Sequence, residues 1–157
     1  QEQVLNYLRY HIPRSRFEEA KSAILVGFNT AYEEANKLVY VPKDRKRGQD
    51  RYTYVQESLA ALLSSWNAQV TPTAPMGEFY TLLSSANIKI TAAVKPWNKK
   101  VRPAQYRKKN SQLNSFLSSP QLDLLGGAES QMLSPGEMLN AIIIPLAPPR
   151  HPMQCTR

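Results

Sequence analysis

The residues whose chemistry stands out lie in one short basic segment, residues 95–110. Seven cationic side chains occur within these sixteen residues, and a tryptophan and a tyrosine lie between them. Lys and Arg neutralise nucleic-acid phosphates and release their counterions, while an aromatic ring can stack on a base and contribute about 1–3 kcal/mol. This combination predicts a nucleic-acid interface made by Lys95, Trp97, Lys99, Lys100, Arg102, Tyr106, Arg107, Lys108 and Lys109.

The position of the positive charge supports this interpretation better than the total does. The 157-residue chain contains 20 Lys and Arg against 12 Asp and Glu, which gives a formal net charge of +8. Residues 79–122 contain eight Lys and Arg and no acid, whereas residues 1–78 carry +1 and residues 123–157 carry −1. Uncompensated like charges repel one another and destabilise the compact state, so a polyanionic partner is the simplest compensation.

A second group of cations lies earlier in the chain and is diluted by acids. Its members are Lys43, Arg45, Lys46 and Arg47. The surrounding stretch also contains two aspartates, so nucleic-acid contact and ordinary solvated charge explain this auxiliary patch equally well. Trp97 has an alternative of its own, because a large aromatic side chain is more often a core residue than a stacking platform.

Catalytic and metal-binding patterns are absent from the sequence. His11 precedes a proline and His151 lies in the proline-rich tail, and neither has a Cys, Asp, Glu or His partner at ligand spacing. Two pairs of adjacent glutamates have basic neighbours that favour ion pairs on a helix surface. No P-loop, G-x-G-x-x-G, G-x-S-x-G or H-E-x-x-H pattern occurs. We therefore expect no enzymatic activity, no cofactor and no bound metal.

Composition argues against several other classes of protein. The single cysteine, Cys155, cannot form an internal disulfide, and a cysteine-based zinc site is equally unsupported. No apolar run approaches the ~20 residues that span a bilayer, and the first residues do not resemble a signal peptide. The cations lie between prolines rather than along an amphipathic helix, which argues against a membrane-surface role. We expect a cytoplasmic protein with no membrane partner.

The elements that must position the basic residues are expected to be mainly helical. Apolar spacing predicts helices over residues 3–12, 15–39, 53–69, 77–85, 104–117 and 134–144. Ser15 is the expected N-cap of the long amphipathic helix, and Ser134 that of the last helix. Alternation over residues 88–94 predicts the one strand. The polar stretch 43–50 is expected to be a loop, and the tail 148–157 to be extended. The predicted fold is a single domain, residues 1–157, a compact helical bundle with an irregular basic connecting segment within 79–122.

In size, helical character and charge the chain resembles the small subunit of type I CRISPR surveillance (Cascade) complexes. Residues 14–37 (RSRFEEAKSAILVGFNTAYEEANK) and 95–109 are similar to the C-terminal small-subunit region of the large subunit in the D subtype. The resemblance implies several copies stacked along a filament that contains the guide RNA. Their basic faces would support the guide–target duplex and the displaced DNA strand, without nuclease activity.

The expected function is therefore that of a non-catalytic subunit of a ribonucleoprotein, which binds DNA or RNA independently of sequence. Its partners would be nucleic acid, other subunits and copies of itself. One alternative is a ribosomal or other structural RNA-associated protein that uses the same residues. The other is a protein–protein adaptor whose basic segment docks an acidic partner. If about five phosphates are neutralised, log affinity should fall against log salt with a slope of roughly −4.

Overall fold

The computed structural model describes residues 2–73, 77–96, 101, 104–114 and 138–147. Their elements are α1 (Glu2–His11), α2 (Arg14–Asn36), α3 (Lys43–Ala60), α4 (Leu63–Trp66), β1 (Gln69–Pro72), β2 (Phe79–Ser85), β3 (Ile88–Ala92), β4 (Lys95–Pro96), α5 (Gln105–Ser111), β5 (Leu139–Ile143) and β6 (Leu146–Ala147). The expected helical bundle is wrong, because β1, β2, β3 and β5 form a mixed sheet and the fold is α+β. In the described ranges no helix is both long and apolar enough to cross a membrane.

The sheet has the order β1-β2-β3-β5. β1 pairs with β2 and β2 with β3 in antiparallel fashion, whereas β3 and β5 are parallel. In this register Ile90 lies between Leu83 of β2 and Ala141 of β5. Parallel strands need a long crossover, and α5 belongs to the chain between β3 and β5. A short parallel pair, β4 with β6, lies outside this sheet.

The main core lies between the α2–α3 pair and one face of the sheet. Val55 and Leu59 of α3 are fully buried, and they belong to one apolar cluster with Ile24 of α2 and Ile90 of β3. α2 and α3 approach very closely at Gly27, where an added methyl group would lie 2.7 Å from the Cα atom of Val55. The backbone of α2 at Gly27 therefore packs directly on the backbone of α3, which positions α3 tightly over the sheet.

The helix expected over residues 77–85 is wrong, because residues 79–85 form β2. Successive residues of a strand point to opposite faces, so Thr81 and Leu83 face the helices while Tyr80 points the other way. All three side chains are buried, because both faces of the sheet are covered at this point. Burial on both faces removes the alternation of apolar and polar residues by which a strand is recognised.

The last helix, expected over residues 134–144, is also contradicted. Residues 139–143 form β5, which pairs with β3, while the capping residues at 134–137 lie outside the described residues. β-branched Ile142 and Ile143 favour a pleated strand over a helix. A good capping pattern therefore predicted a helix where tertiary pairing produces a strand.

Other local predictions are confirmed or shifted. Helices over 3–12 and 15–39 are confirmed as α1 and α2, although α2 begins at Arg14 with no side-chain cap, so the Ser15 cap is wrong. The strand expected over 88–94 is confirmed as β3, but it is one of several. The expected loop 43–50 is wrong, because it forms the first turns of α3. The helix expected over residues 104–117 is confirmed in part, because within the described range it forms the shorter helix α5.

Candidate nucleic-acid interface

The residues predicted to bind nucleic acid are only partly described. Trp97, Lys99, Lys100 and Arg102 lie outside the described residues. Lys95 is half-buried in β4, and residues 106–109 lie on α5. The auxiliary patch, residues 43–47, lies on the first turns of α3. The described part of the predicted interface therefore consists of Lys95 in β4, the short helix α5 and the first turns of α3.

A stack of two tyrosines holds α5 against the sheet. The rings of Tyr106 on α5 and Tyr80 on β2 lie 4.1 Å apart between centroids, with an angle of 8° between their planes. The guanidinium carbon of Arg107 lies 5.0 Å from the centroid of the Tyr106 ring. Because the stacked Tyr80 ring occupies one face of Tyr106, its ring is already engaged within the protein. Tyr106 therefore holds α5, and with it the neighbouring basic residues, against the sheet.

Tyr52 of α3 extends this stack into a tyrosine cluster, which we define as Tyr52, Tyr80 and Tyr106. Its hydroxyl donates a hydrogen bond of 2.7 Å to the carbonyl oxygen of Phe79. Burial raises the pKa of Tyr52 well above its usual range, the proximity of Tyr106 raises it further, and Arg107 opposes the shift. The cluster joins α3, β2 and α5 at one place.

Two cations of the auxiliary patch are engaged within the protein. Lys46 donates a 2.9 Å hydrogen bond to Asp50, and this bond, with the charge of the carboxylate, raises the pKa of Lys46. Arg47 pairs with Asp44 at 2.7 Å and lies 5.6 Å over the ring of Tyr32 on α2. Both acids lie three or four residues from their partners, a spacing that brings side chains together on a helix.

Four of the other predicted binding residues are exposed cations that, among the described residues, have no ion-pair partner. These exposed cations are Lys43, Arg45, Lys108 and Lys109. The two lysines of α5 lie in its last turn, where positive charge interacts favourably with the helix dipole. Their side chains are available to an external anion.

The tyrosine cluster contains one residue from each of the two basic helices, Tyr52 from α3 and Tyr106 from α5. Arg45 precedes Tyr52 by seven residues, which is almost two full helical turns, so both lie on the same side of α3 about 10 Å apart along its axis. Tyr106 and Arg107 lie close enough to Tyr52 to act on its pKa. Tyr106 of α5 therefore lies near the side of α3 that also carries Arg45, although the two segments are far apart in sequence.

Sequence reasoning missed the exposed connection between α2 and α3. Tyr40 is 97% exposed and Val39 is 80% exposed, directly before the first cation of α3. The helix was predicted to run to residue 39, so no loop was expected here, whereas α2 ends at Asn36. The signal was present in the apolar run at 38–41 between a helix and a proline.

Comparison with known proteins adds no further constraint. No family model, curated protein or solved structure matches this chain. In the described part of the chain, no three His, Cys, Asp or Glu side chains come together where they could hold a metal ion.

Proposed function

We propose that this chain is a non-catalytic nucleic-acid-binding protein that contacts the sugar–phosphate backbone of DNA or RNA independently of base sequence. The observation that carries the proposal is the tyrosine cluster, which places Tyr106 of α5 near Tyr52, on the side of α3 that also bears Arg45. Two basic helices that are separate in sequence thereby each contribute a residue to one cluster. A polyanion that follows both segments compensates charges that would otherwise repel one another.

The exposed cations make the phosphate contacts in this proposal, together with the predicted contacts in the basic segment that lie outside the described residues. Phosphate contacts fix the position of a strand and carry no sequence information directly. Tyr106 and Arg107 act differently, since their side chains pack on the protein and hold α5 in place. Lys46 and Arg47 contribute less, because each already pairs with an aspartate.

The proposal is tested by the salt dependence of binding. Fluorescence anisotropy with labelled single-stranded DNA, duplex DNA and RNA should give a log–log slope of roughly −4 for the natural protein. Lys108→Gln combined with Lys109→Gln removes two phosphate contacts, so the slope should fall to roughly −2.

A matched control removes the same charge elsewhere. Lys21→Gln combined with Lys37→Gln changes two exposed lysines, one within α2 and one directly after it, that pair with Glu18 and Glu34. This variant should keep the slope of the natural protein. Equal slopes in the two variants would show that net charge alone, and not the α5 surface, determines binding.

Membership of a ribonucleoprotein, as the resemblance to Cascade small subunits implies, is the narrower form of the proposal. The mixed sheet differs from the helical fold that this resemblance implies, so the narrower form depends on the basic residues alone. It predicts a cytoplasmic protein that co-purifies with RNA, detected as excess absorbance at 260 nm that nuclease removes. The adaptor alternative predicts a protein complex that survives nuclease treatment, and a ribosomal role predicts preference for folded rRNA fragments over DNA.

A further inference from the structure

A recess lies between the end of α2 and the beginning of α3, beside the exposed cation Lys43. Its volume is about 380 Å³, within the range of roughly 300–1,000 Å³ that is usual for small-ligand pockets. Tyr32 and Asn36 line it from α2, and Lys43 and Arg47 line it from α3. None of the sequence patterns indicated that these two groups of residues would meet.

The two planar groups of the recess contact each other. The Arg47 guanidinium lies 5.6 Å from the centroid of the Tyr32 ring and donates a 2.7 Å hydrogen bond to Asp44. The Tyr32 side chain nevertheless remains 46% exposed. Aromatic rings and guanidinium planes are the groups on which unpaired bases stack.

The charge of the recess is complementary to a phosphate. Asp44 is the acid among its lining residues, and Arg47 neutralises it. Lys43 therefore supplies the uncompensated charge at the rim. The exposed amide of Asn36 adds a hydrogen-bond donor and an acceptor. A planar wall, a cation and an amide together match the base, phosphate and sugar of a nucleotide.

We propose that this recess holds one nucleotide of a bound single strand, with the base against the Tyr32–Arg47 pair and a phosphate at Lys43. The proposal rests on the proposed function and deepens it, because Lys43 belongs to both the recess and the exposed cations. Stacking tolerates any base, since every base has a π-face. The recess therefore adds preference for unpaired strands without adding sequence specificity.

The test compares two oligonucleotides of fifteen units, one of thymidines and one of abasic deoxyribose phosphates. Tyr32→Leu keeps an apolar side chain but removes the ring. Its affinity for the thymidine strand should fall about 5- to 150-fold, the range expected for loss of one stacked base. Its affinity for the abasic strand should equal that of the natural protein. Lys43→Gln should instead weaken binding of both strands by the same factor.

Tyr10→Leu is the matched control, because Tyr10 is a 78% exposed tyrosine on α1 and does not line the recess. It should bind both strands as the natural protein does, and circular dichroism should show that all variants are folded. Unchanged thymidine binding by Tyr32→Leu would overturn the recess proposal while leaving the phosphate surface intact. Equal losses for both strands in that variant would also overturn it. If the natural protein binds neither strand, the proposed function itself fails.

Discussion

Because α2 and α3 approach each other closely at Gly27, replacing glycine by alanine should have opposite effects on stability at Gly27 and at Gly48. Gly27 lies in the middle of α2, where an added Cβ atom would be 2.7 Å from the Cα atom of Val55 and 2.8 Å from the carbonyl oxygen of Tyr54. Both are backbone atoms, so no side-chain rotation relieves the contact. Gly48 lies in α3, and an added Cβ atom there has nothing within 4 Å.

The magnitudes follow from two competing effects. Ala is favoured over Gly in a helix by about 0.8–1 kcal/mol. At Gly48 this preference acts alone, so Gly48→Ala should stabilise the protein by up to ~1 kcal/mol. At Gly27 the two helices have to separate, and overpacking of this kind typically costs about 1–3 kcal/mol. Gly27→Ala should therefore be destabilising by up to about 2 kcal/mol after the helix preference is subtracted.

The assay is equilibrium unfolding in urea, followed by the helical circular dichroism signal. The two variants should have midpoints on opposite sides of that of the natural protein, with similar slopes. In thermal unfolding each kcal/mol should shift the midpoint by roughly 2–4 °C for a chain of this length. If Gly27→Ala is as stable as Gly48→Ala, the helices are not in backbone contact and this packing of α2 on α3 is refuted.

Three further predictions concern the buried polar contacts and the tyrosine cluster. Gln56→Leu should lower the free energy of unfolding by about 1–3 kcal/mol. The buried Gln56 side chain accepts a 2.7 Å hydrogen bond from the backbone N–H of Thr81, and this N–H would lose its partner in the variant. An unchanged urea midpoint would contradict this. Tyr106→Leu should weaken nucleic-acid binding without removing a charge, and faster protease cleavage near α5 should accompany the loss; unaltered affinity would mean that the stack does not position the cations. Because the folded-state pKa of Tyr52 is raised above the unfolded value of about 10, its contribution to stability is complete below that pH and is lost as pH rises beyond it. Unfolding free energy measured from pH 8 to 11 should fall more for the natural protein than for Tyr52→Phe, and parallel curves would argue against the shift.

The long helix was predictable because its pattern is long. Ala20, Ile24, Ala31 and Ala35 are buried along α2, and their repeated spacing over 23 residues leaves no other period that fits. The strands were not predictable in the same way. β2 has seven residues, and it has buried side chains on both faces, Tyr80 on one and Thr81, Leu83 and Ser85 on the other, so its composition is compatible with a short helix as well as with a strand.

The polar stretch at 43–50 was misread as a loop for a different reason. Its composition suggested that these residues were too polar for regular structure, but Asp44 and Asp50 stand three and four residues from Arg47 and Lys46. These spacings support a helix through ion pairs along its surface. The same pairs decide which cations of the auxiliary patch are exposed without a partner.

The location of the candidate interface was predictable from charge, but its construction was not. The acid-free stretch identified α5 as basic without indicating what it packs against. That depends on the contact of Tyr106 with Tyr80, and on the proximity of Tyr52, across long stretches of sequence. Single-sequence periodicity describes only neighbours along the chain, so such contacts lie beyond it.

The parallel pairing of β3 with β5 has a consequence for how the protein is made. All residues of α1–α3 and β1–β3 leave the ribosome before β5, so β3 is at first an edge strand with Ile88 and Ile90 in its sequence. Pairings between residues distant in sequence form slowly, and uncovered edges are where nascent chains associate wrongly. The side-chain amide of Asn114 also contacts β5. It accepts a 2.7 Å hydrogen bond from the backbone N–H of Asn140 and donates a 2.9 Å hydrogen bond to the carbonyl oxygen of the same residue. Pairing of β5 with β3 thus covers that edge, and the bonds between Asn114 and Asn140 attach the chain beyond α5 to the same strand.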